Sequence, residues 1–219
     1  MRRIAIVAMV NWKQYFRTSP WYTHGLRAIL SVSVTALLFS IILGPGRSLW
    51  EAIIDWIPLS VFISAVNLPP QWAFGLRYQQ TWPLLLASSG ISSAFFAISS
   101  VWFGSTVTTS WLILIFIHIF VLRSITFLAF KVVIGTILGL SVGAILMPMT
   151  IKRGGELLFS GTITMLLITG WAWSPKQWHI VDPISILMAS RIATVNASVS
   201  IGWLVFLFLL AWISLRSLD

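Results

Sequence analysis

The sequence predicts an all-α protein, a polytopic integral membrane helix bundle of six or seven transmembrane helices. Three observations lead there. Of the 219 residues, 58% are hydrophobic and 9% charged, against about 45–50% apolar and about 25% charged in an average soluble domain. The apolar residues fall into seven runs, each near the roughly 17–25 residues that cross a hydrocarbon core about 30 Å thick. Between Lys131 and Pro148, Gly135, Gly139 and Gly143 recur every fourth residue, which puts them on one face of a helix. In water each interior glycine costs about 0.8–1 kcal/mol relative to alanine. In a bilayer, where burial drives no association between helices, small residues at this spacing let backbones approach closely.

Residues 1–25 form a basic, aromatic segment, and 26–219 a single transmembrane domain. The apolar run Ile4 to Val10 is too short to span and ends at Asn11 and Lys13, with Trp12, Tyr15, Phe16, Trp21 and Tyr22 set among cations. Such a segment lies on the membrane surface, and Pro20 breaks it before the first span.

The first span is Leu26 to Leu43, closed by Gly44, Pro45 and Gly46. The second is Leu49 to Asn67, ended by Pro69 and Pro70. Trp82 to Phe103 is the third; Ser88, Ser89, Gly90, Ser92 and Ser93 make it smooth and the expected neighbour of the glycine face. The fourth runs from about Thr106 to Leu122, and the fifth, bearing the glycines, starts between Thr126 and Lys131. Lys152, Arg153, Gly154 and Gly155 are read as the loop after it. Leu157 to Trp173 is the sixth, and the seventh falls within Ile184 to Leu215, in its later part. With one late segment re-entrant, the count becomes six.

The net charge of +9 would suggest nucleic acid in a soluble protein. Here the cations stand singly between apolar runs, which fits loop charges that orient spans and meet anionic headgroups. No nucleic acid partner is expected. With the N-terminus inside, one side collects Arg2, Arg3, Lys13, Arg17, Arg27, Arg77, Arg123, Lys131, Lys176 and Arg191, and the other Arg47, Lys152, Arg153 and Arg216. Positive charge favours the cytoplasmic side, so the N-terminus is placed there. Seven of the 13 tryptophans, Trp21, Trp50, Trp82, Trp102, Trp171, Trp173 and Trp212, sit near proposed span ends, as an aromatic belt at headgroup level requires.

Chemistry-bearing groups are few. Glu51 and Asp55 lie four apart at the start of the second span. They are read either as a proton or cation site of a coupled transporter or as headgroup-level acids held by the helix dipole and Arg47. Pro58 follows, and interrupted helices often line substrate paths. His118, mid-way along the fourth span, is a proton relay or substrate contact, or a simple hydrogen-bond donor between helices. His24 and His179 lie in loops, so two axial ligands for a haem do not meet, and no cofactor or metal is expected. The absence of cysteine removes disulfides and thiolate-bound metals. No Ser-His-Asp set falls at one depth, which argues against an enzyme.

The stretch from Trp111 to Leu146 resembles the core of the fusaric-acid-resistance-like, or aromatic acid exporter, membrane family. The residues that carry the resemblance are Trp111 opening one span, Arg123 in the connection, then Lys131, Gly135, Thr136 and Gly139. It implies a bundle of about six spans, often dimeric, that exports organic anions or hydrophobic weak acids.

Two functions are therefore expected. One is a small transporter or permease for an organic anion or hydrophobic weak acid, with Glu51, Asp55 or His118 as coupling or substrate residues. The other is a non-catalytic subunit of a larger membrane complex, packed against partner chains, lipids or pigments. The partners are the lipid bilayer and either a second copy of the chain or other membrane subunits.

Overall fold

The computed structural model describes residues 49–78, 90–96, 102–103, 126–153 and 194–218, together with Met9, Gln80, Ser99, Leu166, Asp182, Ile184 and Leu187. Three helices organise them: α1 over Leu49–Tyr78, α2 over Thr126–Arg153 and α3 over Thr194–Arg216. The described residues are helical or turn apart from Gly90 and Asp182, with no strand among them. Among the described residues, two stretches are long and apolar enough to cross a membrane, Leu128–Thr150 within α2 and Ser198–Arg216 within α3. The expected spans at 26–43 and 106–122 lie outside the described residues, as do 157–173 apart from Leu166 and the surface segment 1–25 apart from Met9.

Helix α1 begins at Leu49, where the second apolar run begins, but does not stop before Pro69 and Pro70. It continues to Tyr78 with Pro58, Pro69 and Pro70 inside it. Each proline removes the bond that its N–H would give to the carbonyl four residues back, so Pro69 and Pro70 have none to give to Ala65 and Val66. Packing compensates. Leu59, Phe62, Ala65 and Val66 before the prolines and Ala73 after them are all buried. Between these, Asn67 Nδ2 donates to the carbonyl of Ile63 at 2.8 Å.

Helix α2 starts at Thr126 and also runs through a proline, Pro148, to Arg153. Lys152 and Arg153, expected in a loop, therefore belong to its last turn. Lys131, the latest start expected for the fifth span, is inside α2 and only 4% exposed. Two α2 hydroxyls are spent on the helix itself: Thr136 Oγ1 donates to Val132 O at 2.8 Å and Thr150 Oγ1 to Leu146 O at 3.5 Å.

The third apolar run is not one continuous helix. Gly90 is non-helical with φ 78°, and residues 91–96 form a new helical segment, Ala94 N donating to Gly90 O at 3.2 Å. That left-handed conformation is cheap only for a residue without Cβ.

Helix α2 sits at the centre. On one side Ile134, Leu138 and Leu146 join Leu59, Phe62 and Val66 of α1 with Ile184 and Leu187. On the other, Leu140, Ala144 and Met147 join Ile91, Phe95 and Trp102 with Ala211 and Leu215 of α3. The contrast with α3 is large: 67% of the apolar α2 stretch is buried against 22% of that in α3. Helix α3 thus lies at the periphery, with Ile201, Val205, Phe206, Leu209 and Ile213 all more than half exposed. An outward face of this composition is what a lipid surround accommodates and water penalises. Ser214 Oγ ties α3 to the centre by donating to Ile145 O at 3.3 Å.

Candidate functional site

Glu51 and Asp55 fall in the first two turns of α1. Four residues apart on a helix, they share a face near its N-terminus. Their side chains, and His118 altogether, lie outside the described residues.

The glycine face of α2 meets α1, not the 82–103 run. A Cβ built on Gly139 would lie 2.6 Å from both Phe62 O and Ala65 Cβ, and one on Gly143 would lie 2.5 Å from Val66 O and 2.7 Å from Pro69 Cδ. Real Cβ atoms do not approach so closely, so the two backbones pack at a distance only glycine permits. Gly135 is less tight, 3.0 Å from Pro58 O and 3.4 Å from Leu187 Cδ2. Here the carbonyl edge of a proline-bearing helix lies along a glycine-bearing one, with Cα–H groups near carbonyl oxygens. The Asp182 Oδ1 accepts the backbone N–H of Ile184 at 2.8 Å, as an N-cap does. That cap opens the turn holding Ile184 and Leu187, which are 3% and 0% exposed.

Aromatic side chains link α1, the third apolar run and α3. Trp72, Phe95 and Trp102 form a mutual cluster, with ring centroids 6.4 Å (Trp72–Phe95), 6.1 Å (Trp72–Trp102) and 6.2 Å (Phe95–Trp102) apart. Trp102 is 8% exposed, so its ring is in the core and not in an interfacial belt. Phe96 extends the array to α3, 5.9 Å from Phe208 and 5.2 Å from Trp212. Edge-on and tilted pairs of this kind are favoured by the ring quadrupoles.

Beside this array lies a cavity of about 220 Å³. Phe95, Phe96, Ser99 and Phe103 line it from the third run, Ile137, Leu140 and Ser141 from α2, and Phe208 and Ala211 from α3. Phe208, 48% exposed, stands at its rim. None of these lining residues is charged. Ser99 Oγ is committed to Phe96 O at 3.0 Å. Ser141 is only 6% exposed, yet its hydroxyl has no hydrogen-bond partner among the described residues.

Neither the cavity nor Ser141 was reached by reading the sequence. A signal existed: Ser141 is two residues from both Gly139 and Gly143, a rotation of about 200° on a helix. With the glycines against α1, Ser141 must face the opposite side. Among the described residues, no group of three His, Cys, Asp or Glu is placed to hold a metal ion. Compared with protein-family models, with characterised proteins and with solved structures, the chain matches none.

Proposed function

We propose that this chain is a multi-pass membrane protein that acts as a small permease for an organic anion or hydrophobic weak acid. The cavity between α2, α3 and residues 91–103 carries the reading. A hydrophobic weak acid is a compact apolar body with one polar group, and aromatic walls with a few placed hydroxyls are the usual complement to such a molecule. Helix α2, held to α1 at glycine distance, forms one wall, and the less buried α3 forms another. Glu51 and Asp55 in the first two turns of α1, and His118, are the coupling groups, because ionisable residues at membrane depth mark proton and substrate paths. The outward apolar face of α3 meets lipid, the charge distribution puts the N-terminus in the cytoplasm, and the likeness of Trp111 to Leu146 to exporter cores points to the same activity.

The test is uptake of a labelled organic anion by liposomes holding the purified protein, after subtraction of protein-free liposomes. Uptake is expected for the native chain and is lost in Glu51→Gln or His118→Ala. Unchanged flux in both variants would remove the coupling assignment.

One observation favours a second reading, a non-catalytic subunit of a larger membrane complex. The exposed large side chains of α3, from Ile201 to Ile213, suit a protein partner as well as lipid. Purified alone, a permease stays monodisperse as a monomer or small homo-oligomer, whereas a subunit aggregates or brings partner chains with it.

A further inference from the structure

The cavity offers more than a general hydrophobic pocket. Its volume of about 220 Å³ exceeds the roughly 150 Å³ of an apolar cavity known to take benzene. It falls short of the roughly 300–1,000 Å³ typical of drug-sized ligands. One aromatic ring with a small substituent fits it. The walls contributed by Phe95, Phe96, Phe103 and Phe208 present ring faces and edges to such a guest.

Ser141 then sets which substituent. Helix α2 buries three hydroxyls, and two of them, Thr136 and Thr150, donate to carbonyls four residues back. Ser141 has no such partner among the described residues, although it is 94% buried by its 6% exposure and lines the cavity. A buried hydroxyl without a partner costs free energy that a hydrogen-bonding guest would recover. The described lining residues carry no charge, and beside them an uncharged guest avoids the desolvation cost that an ionised carboxylate bears.

We infer that the cavity is a binding site for a single aromatic ring bearing one uncharged hydrogen-bonding group, held by the Ser141 hydroxyl. The inference rests on the cavity being the solute site of the permease, and it specifies that a weak acid occupies that site in its protonated form.

The test uses fluorine NMR of 4-fluorophenol and fluorobenzene with the full-length protein in nanodiscs, against empty nanodiscs. Both probes fit the cavity, and only one can bond to Ser141. Protein-dependent binding of both is expected. Ser141→Ala should weaken 4-fluorophenol by about 2- to 10-fold, the range of one net hydrogen bond, while fluorobenzene changes by less than about 2-fold. Ala211→Phe, which fills the cavity from α3, should abolish both signals, and a native-like elution profile confirms that this variant is folded. Equal effects of Ser141→Ala on the two probes, or no effect on either, would overturn the inference. So would absence of protein-dependent binding, as when a lipid acyl chain occupies the cavity. Ser141-dependent binding without any flux would uphold the site and remove the transport reading. Flux untouched by Ser141→Ala, with no binding of 4-fluorophenol, would do the reverse.

Discussion

The carbonyl oxygen of Val66 points at Gly143 across the contact between α1 and α2, 2.5 Å from where a Cβ would stand. In an unbroken helix that oxygen would receive the N–H of residue 70, but Pro70 has none to give. The position in α1 that lost a helical bond is thus the position where α2 presents bare backbone. Two features costly in isolation, a proline pair within a helix and a glycine row within another, are complementary when packed.

The glycine row predicts a graded response to one added methyl group. Gly139→Ala and Gly143→Ala force backbone atoms apart and should each destabilise by about 1–3 kcal/mol, the usual cost of overpacking. Gly135→Ala, with its nearest contact at 3.0 Å, should cost less. Gly202→Ala in α3 meets nothing within 4 Å and should be neutral or slightly stabilising, by up to about 1 kcal/mol from helix propensity. Denaturant titration of the four variants checks the order.

Leu187 shows how a distant stretch of chain secures the same contact. It is fully buried, and its Cδ2 comes within 3.4 Å of the position a Gly135 Cβ would take. Leu187→Ala should lower stability by about 2–5 kcal/mol through lost contacts and a residual void. The same titration measures it.

Ser214 makes the cross-helix hydrogen bond from α3 to Ile145 O. Such bonds average about 0.6 kcal/mol and reach about 1.7 kcal/mol within membrane bundles. Ser214→Ala should therefore cost at most this much and leave the fold intact, as circular dichroism and the unfolding midpoint would show. A larger loss would mean that α3 depends on this one bond and not on Ala211 and Leu215 packing against α2.

Much of the helical layout is legible in the sequence because hydropathy and length fix it. Helix α1 starts at Leu49, α2 at Thr126, and α3 occupies the later part of the 184–215 region, all as the apolar runs suggest. The ends are not legible in the same way. Pro69 and Pro70 read as a stop because proline removes a hydrogen bond; whether a helix survives the loss depends on packing from other parts of the chain, which no local rule contains. Gly90 shows the opposite error, a break where an apolar run reads as continuous. Glycine spacing announces a close contact without naming the partner, and the serine-rich third run was a reasonable choice until the carbonyls of α1 occupied the place. The candidate site was least legible. Its walls come from three stretches far apart in sequence, and Ser141 stands out only because its neighbours Thr136 and Thr150 are satisfied and, among the described residues, it is not.

The central claim is that the aromatic cavity is the path of a transported weak acid. Uptake of labelled benzoate into liposomes, corrected for protein-free vesicles, tests it most directly when the native chain is compared with Ala211→Phe. Protein-dependent uptake should rise as the external pH falls, since the protonated form enters, and should be lost when the phenyl ring fills the cavity of a correctly folded variant. Uptake by Ala211→Phe equal to that of the native chain would contradict it.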